Sequence, residues 1–256
     1  IKGIQDCEGN TADEAYPKSV IWLIPIVAER FDVLIHEVFA DPTPSLGMPE
    51  SEFLELYNRT ENPISLEAWV LEDESGQTIF PEVIIHPFSY LILCATSDES
   101  DWSGYGNVLG LEGFVSLSNG GELLKLYNRW GKLIHFVQYS SDWHKTAEAK
   151  SGGYSLEMID SDVPCLKGDN WKNAAKNIFA TPGQENSVKA RRTDDISPVL
   201  SQLGINSDSI IQLSFSETMD SSSLFDQGNY LLEADGKSLG ISAIQDLTGV
   251  FEQVQI

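Results

Sequence analysis

Basic residues are scarce in this chain: 16 Lys and Arg stand against 39 Asp and Glu in 256 residues, a net charge of −23. A field of that sign repels phosphate backbones and sets nucleic-acid binding aside. Cysteine is scarce too. Cys7, Cys94 and Cys165 form no C-x-x-C pair, which excludes a zinc knuckle or redox motif. They read either as buried thiols or as one Cys94–Cys165 bridge with Cys7 left over. Long apolar runs are missing: residues 20–28 are the longest, Pro25 breaks them, and they are far too short to span a bilayer. The four histidines, His36, His86, His135 and His144, are scattered, and no P-loop, nucleophile elbow or H-E-x-x-H is present. The chain opens on Ile1 without an initiator Met or signal peptide, so the expectation is a processed product or a piece of something longer.

What is present is β-structure. The hydrophobic fraction of 41% is that of a globular protein. Alternating segments recur at residues 33–39 (VLIHEVF), 52–57 (EFLELY), 83–85, 90–94 (YLILC), 122–127 (ELLKLY), 133–139 (LIHFVQY) and 154–159 (YSLEMI). Turn chemistries separate them: Asp-Pro-Thr-Pro at 41–44, Glu-Ser-Gly at 74–76, Ser-Asn-Gly-Gly at 118–121, Trp-Gly-Lys at 130–132. Many short strands at this spacing predict an all-β sandwich or barrel. Residues 52–59 (EFLELYNR) and 122–129 (ELLKLYNR) repeat each other, and if these strands pair, Glu55 faces Lys125.

The order of motifs from residue 32 to 187 resembles a bacterial lamin-tail domain. DVLIHEV (32–38), EFLELYN (52–58), LEAW (66–69) with Leu71, HPFSYLIL (86–93), LSNGGELLKL (117–126), SLE (155–157), DNW (169–171) and TPG (181–183) with Asn186-Ser187 carry it. Two departures are His36-Glu37, where the family has Asn-Glu, and Phe88 in place of a Gly. The resemblance implies an immunoglobulin-like β-sandwich without catalytic machinery. SFSETMD (214–220) with Asn229-Tyr230 resembles the opening of bacterial surface-type Ig-like domains, and IQDCEGN (4–10) the closing strand of the same class. The expected organisation is therefore the end of an Ig-like unit with a linker (1–30) and the lamin-tail-like domain (31–187). A charged linker (188–197) and the start of a second, small or partial Ig-like β unit (198–256) complete it. Residues 1–25 are expected to pack on that second unit, in cis or from a neighbouring molecule, because each half alone exposes strand edges.

Candidate sites follow from the surface chemistry. Trp69 and Trp171 fall in the motifs as core anchors, whereas Trp102, Trp130 and Trp143 lie beside polar turns and are candidate exposed binding aromatics. The acidic turns Glu72-Asp73-Glu74, Asp98-Glu99 with Asp101, and Asp160 with Asp162 read as solvated surface, with Ca²⁺ the alternative. Residues 41–52 are not an EF-hand, since Thr43 and Ser45 stand at ligand positions and Gly47 is one place late. Paired acids invite a glycosidase reading, but a plain sandwich offers no cleft for it. No cofactor other than calcium is expected. The functional expectation is a non-enzymatic binding, adhesion or spacer module of a larger secreted or cell-envelope protein. Its partners would be a protein or glycan, or a second copy through the terminal strands, with no nucleic acid and no membrane span. The alternative is an accessory domain targeting an attached hydrolase or nuclease outside this chain.

Overall fold

The computed structural model describes residues 5, 7–8, 10–11, 24–195, 197–207, 209–247 and 249–256. Its strands run β1 (Val33–Phe39), β2 (Phe53–Asn58), β3 (Ile64–Ser65), β4 (Val70–Glu72), β5 (Gln77–Ile79), β6 (Ile84–Ile85), β7 (Tyr90–Ala95), β8 (Val108–Leu111), β9 (Leu123–Tyr127), β10 (Leu133–Gln138), β11 (Leu156–Met158) and β12 (Trp171–Asn173). The C-terminal part adds β13 (Leu200–Ser207), β14 (Ile210–Phe215), β15 (Leu232–Ala234), β16 (Lys237–Leu239), β17 (Gln245–Asp246) and β18 (Gln253–Gln255). Two sheets form the main body: a six-stranded one in the order β12-β11-β1-β2-β7-β8 and a four-stranded one, β10-β9-β4-β5. All neighbours are antiparallel except β7 and β8.

Alternation in the strands builds the core between these sheets. Val38, Leu54, Leu56, Leu91, Leu93 and Leu156 from the first sheet meet Leu71, Leu124, Leu126 and Ile134 from the second, with Trp69 among them. The fold is thus an Ig-like β-sandwich with an additional β unit, as the strand pattern predicts. The repeated EFLELYNR and ELLKLYNR strands do not pair. They lie in opposite sheets, β2 beside β1 and β7, and β9 beside β4 and β10. Lys125 meets Glu72 at 3.2 Å rather than Glu55. What the repeats share is their ending: Asn58 Oδ1 accepts from Thr60 N, and Asn128 Oδ1 from Trp130 N and Lys132 N, all at 3.0 Å. Each asparagine closes its strand with an Asx-type turn. Asn58 also donates to Asn62 O, Ile85 O and His86 O from full burial, so the Asn-Arg-Thr sequence there is closed to glycan attachment in the folded protein.

The outer face of the six-stranded sheet is covered rather than solvated. Near one end, Phe39, Phe53, Ile92 and Cys94 form a second cluster under Trp102 and Ala180. In the middle, Glu55 is fully buried beneath the segment 181–188. A half-buried strand was the expectation from alternation alone; the return of the chain across the outer face buries the other half. The three thiols are free, with Cys94 buried, Cys165 partly buried and Cys7 exposed.

The C-terminal unit is a four-stranded sheet, β13-β14-β18-β17, with the β15–β16 hairpin beside it. Leu213, Leu224 and Val254 are its buried centre, packed by Ile211, Phe215, Met219, Tyr230 and Phe251. Arg30 joins this unit to the sandwich: its guanidinium lies 4.6 Å from the Phe31 ring centroid and 4.5 Å from that of Phe251, and it reaches Met219 O at 3.4 Å. Lys167 adds an ion pair to Glu252 at 3.0 Å. The expected packing of residues 1–25 on this unit falls mostly outside the described residues; Gln5 and Thr11 form a local bridge. Among the described residues no helix is long and apolar enough to cross a membrane.

Candidate functional site: a buried carboxylate row and an aromatic groove

Strand register places three glutamates side by side. Glu37 on β1 is the cross-strand partner of both Glu157 on β11 and Glu55 on β2, so the three carboxyls stand in a row on the outer face. Like charges opposite one another are destabilising in a sheet, and full burial removes the water that would screen them. The segment 181–188 answers both problems with donors. Thr181 N–H donates to Glu37 Oε1 at 2.8 Å, Gly183 N–H to Glu55 Oε2 at 2.5 Å, and Val188 N–H to Glu157 Oε2 at 3.1 Å. The hydroxyls of Thr181 and Ser187 donate to Glu157 at 2.9 and 2.8 Å. Asn186 pins the strap to the sheet through Nδ2, which donates to His36 O at 3.1 Å and Met158 O at 2.8 Å.

The donors do not offset the burial. Desolvation, then the neighbouring Glu157, pushes the Glu37 carboxyl up to about 8. Desolvation, reinforced by Glu37, holds Glu55 well above the usual carboxylate range, and desolvation raises Glu157 as well. At neutral pH the row therefore keeps protons. His36, in the β-bulge between Ile35 and Glu37, lies against the tilted rings of Tyr57 and Tyr90, and its Nδ1 lies 3.6 Å from Glu55 Oε1. Burial pushes His36 down to about 3, so it is neutral beside the row. His135, also pushed down to about 3 by burial, accepts from Ile35 N at Nδ1 at 3.0 Å. Both histidines are core groups.

Gly183 is required where it stands. Its φ is +76°, and a Cβ there would sit 2.3 Å from Tyr105 O. A side chain would lift the strap off Glu55.

The sequence candidates fall in separate places. Trp102 is fully buried against Phe39 and Phe53 and offers no binding surface; its place beside polar turn residues misled, because the short helix Glu99–Trp102 turns the ring inward. Trp130 stands 65% exposed at the β9–β10 turn, near Arg129. Trp143 is half-buried with its ring 6.0 Å from that of Trp171. Trp143 and Trp171, with Phe31, Phe136, Cys165 and Thr218, line a groove of about 280 Å³ where the sandwich meets the C-terminal unit.

The acidic turns are occupied internally. Asp73 accepts from Ser75 N and Gly76 N, Glu72 pairs with Lys125, and Asp160 accepts from Asp162 N and Arg192 N. Glu74 is exposed, as are Glu99, Asp101 and Asp162, while Asp98 takes a hydrogen bond from Ser97. Among the described residues no group of three or more His, Cys, Asp or Glu side chains is placed to hold a metal ion.

With two facing sheets, the glutamate row and its strap in place, the class is an Ig-like structural domain. The family model of the lamin tail domain matches residues 27–141, and the two facing sheets fit an Ig-like domain of that kind. The family is structural and not enzymatic. Among curated proteins, no sequence matches the chain.

Every member of the carboxylate row lies inside a motif, Glu37 in DVLIHEV, Glu55 in EFLELYN and Glu157 in SLE. The available signal was a Glu at the centre of each of three apolar strands, followed by TPG and Asn-Ser, donors spaced to reach them.

Proposed function

We propose that the chain is a binding and spacer module of a larger secreted or cell-envelope protein, carrying out no reaction of its own. The carrying observation is the state of its acids. The three carboxyls of the row, whose proton affinity burial raises, lie under the strap, hydrogen-bonded to its amides, out of reach of a substrate. Their work is to fix the strap, and with it the outer wall of the sandwich. The acidic surface supports a solvated, extracellular setting. Arg30 and the Lys167–Glu252 pair tie two β units together, the coupling a spacer needs.

Assay of the chain against generic ester, phosphate and glycoside substrates tests this reading. No turnover is expected. Turnover that disappears in Glu37→Gln would overturn it.

A further inference from the structure

Cations are scarce in this chain, and several are neutralised where they stand. Lys125, Arg129, Lys132, Lys150, Lys167 and Lys189 each pair with a carboxylate. Lys145, Lys172 and Lys176 do not: among the described residues, none of these three ammonium groups has an ion-pair or hydrogen-bond partner. All three line one cleft of about 280 Å³ beside β12, the edge strand of the six-stranded sheet.

The backbone fixes this gathering. Lys145 N–H donates to Asn173 Oδ1 at 2.8 Å, which ties the loop after β10 to β12. Ala175 N–H donates to Ser187 Oγ at 2.8 Å, which holds the turn carrying Lys176 against the strap. Lys172 stands opposite Glu157 across the β11–β12 pair, but Glu157 takes its donors from Thr181, Ser187 and Val188. The one acid lining the cleft, Glu148, is hydrogen-bonded to the Tyr154 hydroxyl. Lys145 and Lys172 also border a neighbouring cleft that holds Arg192 with Asp169, Asp194 and Asp195, and no ion pair joins either lysine to those aspartates. The excess of positive charge therefore lies on the side of Lys176, three ammonium groups against one carboxylate.

The occupant has to answer several cations in a small space. A carboxylate brings one charge, whereas a phosphate monoester brings about 1.5 to 2 at pH 7 and three acceptor oxygens, one for each ammonium. With a water taking about 30 Å³, the cleft exceeds a bare ion and has room for a carrier the size of one sugar ring. A long polyanion is opposed, because the net charge of −23 acts on every part of it that extends past the cleft; a compact dianion stays within a Debye length of the lysines. We propose that this cleft binds a small phosphate monoester of the sugar-phosphate class, its phosphate held by Lys145, Lys172 and Lys176. The site goes beyond the reading of the chain as a non-enzymatic module and gives that module a ligand.

The test is calorimetric titration of the full chain at low ionic strength with glucose 6-phosphate, and with glucose, inorganic phosphate and a phosphoserine peptide for comparison. Saturable binding of glucose 6-phosphate is expected, weakened by salt, with no binding of glucose and weaker binding of inorganic phosphate. Lys145→Gln and Lys176→Gln, both at exposed positions, should each weaken the ester about threefold, and adding Lys172→Gln to the pair should bring the loss to about tenfold or more. Lys237→Gln removes the same charge from an exposed position on β16 and should leave the affinity unchanged. Absence of saturable binding overturns the proposal, as does an equal loss in Lys237→Gln and the cleft variants. Tighter binding of inorganic phosphate or of the peptide overturns the sugar-phosphate assignment. Those results leave the non-enzymatic reading standing, whereas release of phosphate from the ester, measured separately, would sink that reading.

Discussion

The Arg30 guanidinium lies 4.5 Å from the centre of the Phe251 ring, and the Phe31 ring sits 4.6 Å from the same cation on the sandwich side. Burial lowers the Arg30 pKa, and its Nε and Nη2 atoms have no hydrogen-bond partner, so the ring faces are its main compensation. Arg30→Ala removes a side chain that touches both units. Loss of about 1–2 kcal/mol of coupling is expected, with Arg30→Lys failing to restore it because an ammonium does not stack as a planar guanidinium does. Calorimetric unfolding reads the outcome: separation of the C-terminal unit into its own earlier transition supports the clamp, and an unchanged single transition contradicts it.

The strap makes a sharper prediction at Gly183. A methyl group there meets Tyr105 O in a backbone conformation already at φ +76°. Gly183→Ala should cost about 2–4 kcal/mol and expose the glutamate row. Chemical denaturation gives the magnitude, and hydrogen exchange at the Thr181 and Val188 amides shows whether the strap has lifted. Wild-type protection at both would show that the strap does not depend on this glycine.

Stability should fall as pH rises above neutrality, for a reason specific to the row. Glu37 has an ordinary value of 4.5 and a folded value of about 8, so between them the folded state binds more protons than the unfolded chain. Its contribution is complete below 4.5 and is lost as pH climbs towards 8. His36 and His135, pushed from 6.5 down to about 3, act in the opposite sense and only below 6.5. The window from 6.5 to 8 therefore isolates the carboxyls, where each proton kept by the fold is worth about 1–2 kcal/mol. Glu37→Gln should flatten the slope of stability against pH in that window. A wild-type slope of zero, or one unchanged by the substitution, would contradict the account.

Two tryptophans with similar sequence surroundings should behave differently. Trp102 is enclosed by Phe39, Phe53 and Tyr105, and its truncation to Ala should cost about 3–5 kcal/mol. Trp130, exposed at its turn, should change stability by no more than about 0.5 kcal/mol. Paired denaturation curves decide the matter, and equal effects would be incompatible with this placement.

Much of the architecture was legible because it rests on local pattern. The period-two segments became strands, and Trp69 and Trp171 became core groups. The covering of the outer face was not legible, since alternation says that one face of a strand is buried and is silent on whether a later segment returns to bury the other. Nor does alternation say which strands pair, so the similar segments that carry Glu55 and Lys125 could read as neighbours although they lie in opposite sheets. Trp102 misled for the same reason: polar neighbours along the chain do not reveal that a one-turn helix points the ring at Phe39 and Phe53. The aromatic groove was out of reach, because Trp143 and Thr218 are joined only by the docking of two units.

The central claim, that the carboxylate row is a proton-holding structural lock rather than acid–base machinery, is tested most directly by nuclear magnetic resonance titration of the glutamate side-chain carboxyl carbons. The account predicts that Glu37, Glu55 and Glu157 titrate above the ordinary value of 4.5, with Glu37 near about 8, and that at least one is protonated at neutral pH. Three carboxyls titrating together at the ordinary value would show the row to be solvated and ionised, and would contradict it.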